Sequence, residues 1–217
     1  MVIVATLRAA DAAVKSVSTD GEATVYLAGN FAKPFDLTYR AVLKPGSRNK
    51  SWSTLSILLV GSQTPGPGAS VGLASDPEHR SVSPFTYVVF PNQQYDYESR
   101  SGHCSDACVI ELRGDRSRIY AYINRTLLAS WSRSDLYLQH PSIQLNAEAH
   151  GDGDTIQASL TPIETSIAGD GVAAPACAFT TRGIEPAGRS TLVFSGKTND
   201  NAGAYVNLTT GARKDKC

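Results

Sequence analysis

The chain is poor in charge, nearly without methionine, and has no long apolar run. Charged residues make up 18% of its 217 positions, and 20 basic side chains are matched by 20 acidic ones. Non-specific binding to nucleic acid or to an anionic membrane surface needs a basic excess, so this balance argues against both. No stretch approaches the ~20 consecutive apolar residues that a membrane-spanning helix requires. A glycine-rich phosphate loop, a His-Glu-x-x-His pair and any Cys-x-x-Cys pair are also missing. Phosphoryl transfer and zinc-protease chemistry therefore have no anchor in this sequence.

What is present is a β protein. Ser, Thr, Gly, Ala and Val dominate, a usage that suits an extracellular fold. At this length a single sandwich or barrel domain buries a core of its own. Residues 35–43 give the cleanest alternation: Phe35, Leu37, Tyr39, Ala41 and Leu43 on one side, Asp36, Thr38 and Arg40 on the other. Similar half-buried strands are expected over residues 23–27, 85–90, 109–112, 118–123, 142–149 and 155–161. Residues 55–60 read as a strand covered on both faces, with a further strand at 71–74. Residues 61–70, with Pro65-Gly66-Pro67-Gly68, read as a loop, and 91–103 as a long polar loop bearing Tyr95 and Tyr97. Short strands are expected at 178–181, 191–195 and 204–208. This divides the chain into a sandwich over residues 1–165 and a β-rich extension over 166–217.

The four cysteines fall into two groups, Cys104 with Cys108 and Cys177 with Cys217. Three connectivities are open, and the spacing favours one local bridge and one tying the C-terminus back. Zinc is a weak alternative, because His103 is the only nearby histidine. Disulfides imply an oxidising compartment, outside the cell or on its surface. Sequons occur at Asn49, Asn124 and Asn207.

Residues 35–40, 69–73, the hairpin 118–128, and the segments 141–145 and 155–160 together resemble the concanavalin A-like lectin/glucanase superfamily, including its laminin-G-like branch. One departure stands in the hairpin turn, where Asn124-Arg125 replaces the usual Asn-Gly. The resemblance implies an all-β jelly roll of two antiparallel sheets, with a concave face that members often use for glycans. The superfamily's glucanases place several acids at alternate positions on one strand; the comparable strand here offers only Glu148.

Alternation also lists candidate ligand-binding residues. Glu111, Tyr120, Tyr122, Gln144, Asn146, Glu148 and His150 are the polar members of three strands, and they form one face if those strands are neighbours. Aromatic rings pack on sugar C–H surfaces while amides and carboxylates bridge hydroxyls, so this composition suits a glycan. Glu111 with Glu148 would serve as a glycosidase pair. Tyr122, His150, Gln144 and Arg40 would serve as the groups of a polysaccharide lyase. Tyr95 and Tyr97 are further binding candidates, while Trp52 and Trp131 are expected to be partly buried at sandwich edges. Arg113-Gly114-Asp115 is the integrin-read tripeptide, although Gly-Asp suits a hairpin turn anyway. Asp152 and Asp154 alternate with glycines as in a calcium loop, but a metal-free turn is preferred and no cofactor is expected.

The leading expectation is an extracellular carbohydrate-binding or adhesive β-sandwich without catalysis. A polysaccharide lyase or glycoside hydrolase on the same fold is the second reading. A structural subunit that pairs with copies of itself is the third.

Overall fold

The computed structural model describes residues 22–28, 30–61, 67–76, 78, 81–92, 94–99, 104, 107–138, 140–149, 154–167, 183–186, 192–198 and 204–210. Along the chain run β1 (Glu22–Ala28), β2 (Phe35–Pro45), β3 (Ser53–Val60), β4 (Gly68–Asp76), β5 (Ser81–Val89), β6 (Tyr95–Ser99) and β7 (Cys108–Gly114). They are followed by β8 (Arg118–Ile123), β9 (Thr126–Ser132), α1 (Arg133–Leu136), β10 (Ser142–Ala149), β11 (Thr155–Ile167), β12 (Gly183–Pro186), β13 (Leu192–Thr198) and β14 (Ala204–Thr210).

These strands form two seven-stranded sheets. Sheet I has the order β12-β1-β10-β3-β4-β5-β6, and sheet II the order β14-β13-β11-β2-β7-β8-β9. All pairings are antiparallel except that of β1 with β12. The expected all-β sandwich is thus the architecture observed. The extension does not stand apart from it. β11 runs through the boundary expected at residue 165, β13 pairs with β11, and β12 pairs with β1.

Alternation decides which side chains meet between the sheets. Leu55, Ile57 and Leu59 of β3, with Ile143, Leu145 and Ala147 of β10, are fully buried in the inner face of sheet I. Leu37 and Ala41 of β2, Ile110 and Leu112 of β7, and Ile119 and Ala121 of β8 do the same from sheet II. Removing such apolar area from water is worth about 25 cal/mol per Å2, and this shared interior is the main source of stability. A period of two leaves every intervening residue on an outer face.

One local feature departs from the sequence reading and another carries it out. The expected loop 91–103 contains β6. Phe90 N–H donates to the Gln94 carbonyl at 2.8 Å, and Gln94 N–H to Asn92 Oδ1 at 3.1 Å, so a short turn ends at residue 94. The chain then returns along β5, pairing Tyr97 with Tyr87 and Tyr95 with Val89. The second feature is the β8–β9 turn. Asn124 and Arg125 have φ of 49° and 67°, so the two-residue loop is closed with both residues left-handed. Asn124 is suited to this because its Oδ1 accepts from Val109 N–H at 2.8 Å and ties the turn to β7. Arg125 has no such compensation.

Replacing Arg125 with Gly removes the Cβ cost of left-handed backbone, partly offset by a looser unfolded chain. The expected outcome is a stabilisation of about 1 kcal/mol, read as a raised urea midpoint at unchanged denaturant slope.

Candidate functional site

Sheet I carries on its outer face an uneven row of side chains that forms a trough. β10 contributes Gln144, Asn146 and Glu148. Across from them on β3 stand Leu58, Ser56 and Thr54, and beyond these on β4 stand Ser70, Gly72 and Ala74. The next strands bring Tyr87 and Phe85 from β5, then Tyr97 and Tyr95 from β6. Apart from Leu58, small residues therefore floor two central strands, between an amide–carboxylate wall and an aromatic wall. At the usual strand spacing the walls stand about 14 Å apart from β10 to β5.

Burial supports that shape. Ser70, Asn146 and Ser56 lie on the outer face, yet their exposures are only 3%, 4% and 6%. Taller neighbours shade them. The floor has no room to rise at Gly72, where a Cβ would press on the Leu55 carbonyl and lie 2.8 Å from the Phe85 ring. Phe85 in turn stacks on Tyr97 with ring centroids 5.7 Å apart, and Tyr87 lies 6.0 Å from Tyr95. Tyr95 remains 70% exposed and Tyr97 45%, so the aromatic wall presents ring faces to solvent. On the opposite wall Asn146 Nδ2 donates to Glu148 Oε1 at 2.6 Å, which orients both groups. Glu148 is also the cross-strand partner of Glu22 on β1.

The sequence Gly68-Ala69-Ser70-Val71-Gly72 has the spacing of a Gly-x-Ser-x-Gly nucleophile motif. That chemistry needs a strand-to-helix elbow exposing the serine. Here the five residues lie inside β4, and Ser70 Oγ donates to the Tyr87 carbonyl at 3.4 Å. They build floor.

The single face expected from alternation is split between the two sheets. β7 and β8 belong to sheet II and β10 to sheet I, so Glu111, Tyr120 and Tyr122 lie on the side of the sandwich opposite Gln144, Asn146 and Glu148. Glu111 and Glu148 therefore form no catalytic pair. Arg40 lies on the outer face of sheet II as well, away from Gln144, so the lyase grouping is also dispersed. His150 and Asp152 lie outside the described residues, as do Cys177 and Cys217. Cys104 and Cys108 form the expected local disulfide, with Cα atoms 5.5 Å apart.

Sheet II's outer face is occupied by its own contacts. Arg113 lies 5.5 Å from the Tyr120 ring and 5.7 Å from the Tyr122 ring. Tyr120 OH donates to Asp115 Oδ2 at 3.0 Å. Asp115 Oδ1 accepts from Ser117 N–H and Arg118 N–H, both at 2.7 Å, and these bonds hold its carboxyl far below the usual range. The aspartate of the Arg-Gly-Asp tripeptide is thus spent within its own turn. Burial, with Asp36 next in weight, raises the Glu111 carboxyl; Arg113 partly opposes this, and Glu164 adds to it.

Asp154, one of the two aspartates of the Gly-Asp-Gly-Asp turn, has a structural task. It is buried, and its two oxygens accept from Lys50 N–H and Ser51 N–H at 2.6 and 2.9 Å. Among the described residues no group of three His, Cys, Asp or Glu is placed to hold a metal ion. The loop pinned by Asp154 borders a cavity of about 480 Å3, lined by Asn49, Lys50, Ser51, Trp52, Asp76 and Glu78. Trp131 packs against the core as expected, but Trp52 is 45% exposed. Nothing in the sequence marked this cavity, because its walls come from two loops far apart in the chain.

No protein-family model matches the chain, and no curated protein matches it. Solved structures similar to it include the laminarinase catalytic domain of Thermotoga maritima, at 15% identity and TM-score 0.42 over 55% of this chain and 54% of that one. The endo-1,3-beta-glucanase (laminarinase) catalytic domain of Thermotoga petrophila is similar at 10% identity and TM-score 0.43, over 82% of this chain and 63% of that one. A galectin of Caenorhabditis elegans is similar at 12% identity and TM-score 0.34, over 63% of this chain and 94% of that one. The chain thus spans less than two thirds of the two bacterial domains it matches.

The raised Glu111 carboxyl gives a signed pH effect. A folded-state value above the unfolded one means the charged form destabilises the fold at neutral pH, and the penalty fades as pH falls through the raised value toward the unfolded one. Glu111→Gln is expected to stabilise the protein at pH 7, with the gain shrinking as pH falls through the raised value and lost below about pH 4.5, near the unfolded carboxylate value. Urea denaturation at pH 7 and pH 4 checks both the sign and the window.

Proposed function

We propose that the protein binds carbohydrate, without cleaving it, in the outer trough of sheet I. The observation that supports this most directly is the pairing of exposed tyrosine rings with an ordered amide–carboxylate wall across a shaded floor of Ser56, Ser70 and Gly72. A pyranose offers apolar C–H faces to the rings and a belt of hydroxyls to Gln144, Asn146 and Glu148. The two walls answer those two surfaces. The Cys104–Cys108 disulfide favours an extracellular setting for such a ligand. No described helix is long and apolar enough to cross a membrane.

Hydrolysis is the second reading, and one observation favours it. The register of β1 with β10 sets Glu22 opposite Glu148, so two acidic residues share one register position on neighbouring strands, and a glycosidase needs two carboxylates.

Affinity electrophoresis in soluble polysaccharides tests the binding. Tyr95→Ala and Tyr97→Ala should each weaken retardation about ten-fold, the usual scale for an aromatic anchor. Tyr122→Ala on the opposite sheet should change nothing. Equal loss in all three variants, or none, removes the trough from consideration. Reducing ends released by the wild type and abolished by Glu148→Gln would replace the non-catalytic reading with hydrolysis.

A further inference from the structure

We infer that the end of the trough beside the last residues of β3 is a notch for a methyl group, and that the ligand is a glycan whose units carry one: a 6-deoxy, N-acetylated or O-methylated sugar. This rests on the proposed trough and names the class of glycan it takes.

The floor of the trough changes along its length. On β3 the outward residues run Thr54, Ser56, Leu58 and Val60, between the fully buried Leu55, Ile57 and Leu59. Thr54 and Ser56 are the cross-strand partners of Glu148 and Asn146, so that half sets hydroxyls beside a carboxylate and an amide. The other half is apolar. Leu58 pairs with Ser70 on β4, which pairs with Tyr87 on β5, and Val60 pairs with Gly68, which pairs with Val89. Two low residues therefore lie between two aliphatic side chains on one flank and a ring and a valine on the other. β3 and β5 are two strand spacings apart, so the backbones that carry these flanks stand about 10 Å from each other. Tyr95, its ring 6.0 Å from that of Tyr87, prolongs the second flank.

The notch is held low and offers little to a polar group. A Cβ at Gly68 would press on the Leu59 carbonyl and lie 3.5 Å from Val60 Cα, so the floor has no room for a side chain there. Gly68 and Ser70 are buried on the outer face, while Leu58, Val60, Tyr87 and Val89 around them are only partly covered. Ser70 is the one polar side chain on this part of the floor, and its Oγ donates to the Tyr87 carbonyl at 3.4 Å. Its hydroxyl hydrogen is thus spent on the neighbouring strand. The peptide groups beneath are paired in the ladder of β3, β4 and β5.

A sugar hydroxyl lowered between Leu58 and Tyr87 gives up water and finds no donor or acceptor on that floor, which costs free energy. A methyl group gives up no hydrogen bond and gains contact on both flanks. Apolar pockets distinguish one added or missing carbon by about ten-fold or more. The two halves of the floor also set a direction, with the methyl group at Leu58 and the sugar's hydroxyls toward Thr54, Ser56 and the β10 wall.

The test is calorimetric titration and saturation-transfer NMR of the full chain with oligosaccharides in matched pairs: 6-deoxy against parent hexose, 2-acetamido against 2-hydroxy, and O-methylated against free hydroxyl. The methyl-bearing member of at least one pair should bind about ten-fold more tightly, with its methyl protons receiving the strongest transfer. Which pair separates identifies the source of the methyl group. Leu58→Asn and Val60→Thr nearly keep side-chain size while adding polarity, and each should narrow the preference several-fold. Far-UV circular dichroism and the urea midpoint check that both variants fold. Equal affinity within all three pairs, or a preference that survives both substitutions, overturns the notch; if Tyr97→Ala still weakens binding, the trough stands. No binding by any oligosaccharide overturns the trough and the notch together.

Discussion

The arrangement depends on one constraint: the side chains of β3 and β10 that point inward must be apolar and must stay dry. Leu55, Ile57 and Leu59 alternate with Thr54, Ser56 and Leu58, and Ile143, Leu145 and Ala147 alternate with Gln144, Asn146 and Glu148. A slip of one residue would turn each set over, placing three polar groups in the core and three aliphatic ones in water. The polar ladder of the trough is therefore held in register by hydrophobic burial on the other side of the same strands. The outward residues are free to differ in chemistry but not in position.

Depth comes from a second choice made along β4. A sheet face becomes a trough only if its middle strands carry less side chain than its flanks. The outward positions of β4 are Gly68, Ser70, Gly72 and Ala74, and the chain spends no bulk there. The Phe85 ring sits over the space a side chain at Gly72 would fill, and Tyr97 stacks on Phe85. The height of the aromatic wall thus depends on the absence of a Cβ in the neighbouring strand.

The fold was largely legible in the sequence, because burial of one strand face writes a period of two that survives without any tertiary information. The polar sets on β7, β8 and β10 were all read with the right parity. Their assignment to one surface failed because parity says which residues share a side of a strand and not which sheet the strand joins. That choice is made by contacts such as β2 with β7 and β10 with β3, between segments far apart in sequence. β6 was missed for another reason. Tyr95 and Tyr97 alternate with Asp96 and Glu98 on an exposed edge strand, so the usual contrast between apolar and charged positions is weak there. Trp52, expected partly buried at a sandwich edge, is 45% exposed, because it shares the outward parity of Thr54 while Ser53 between them is buried.

The loop pinned by Asp154 also bears on how the chain matures. Asn49 heads the triplet Asn49-Lys50-Ser51, a glycan acceptor by its letters. Both hydrogens of its amide nitrogen are engaged, one on the Thr155 carbonyl and one on Ser53 Oγ at 3.3 Å. Attaching an oligosaccharide replaces one of them. In the finished protein the acceptor nitrogen is tied across a clasp between two sheets, a clasp that is absent on the nascent chain before β11 arrives. A chain modified there would fold with the clasp one hydrogen bond short, and the same reaction that decorates the surface would loosen the wall it stands on.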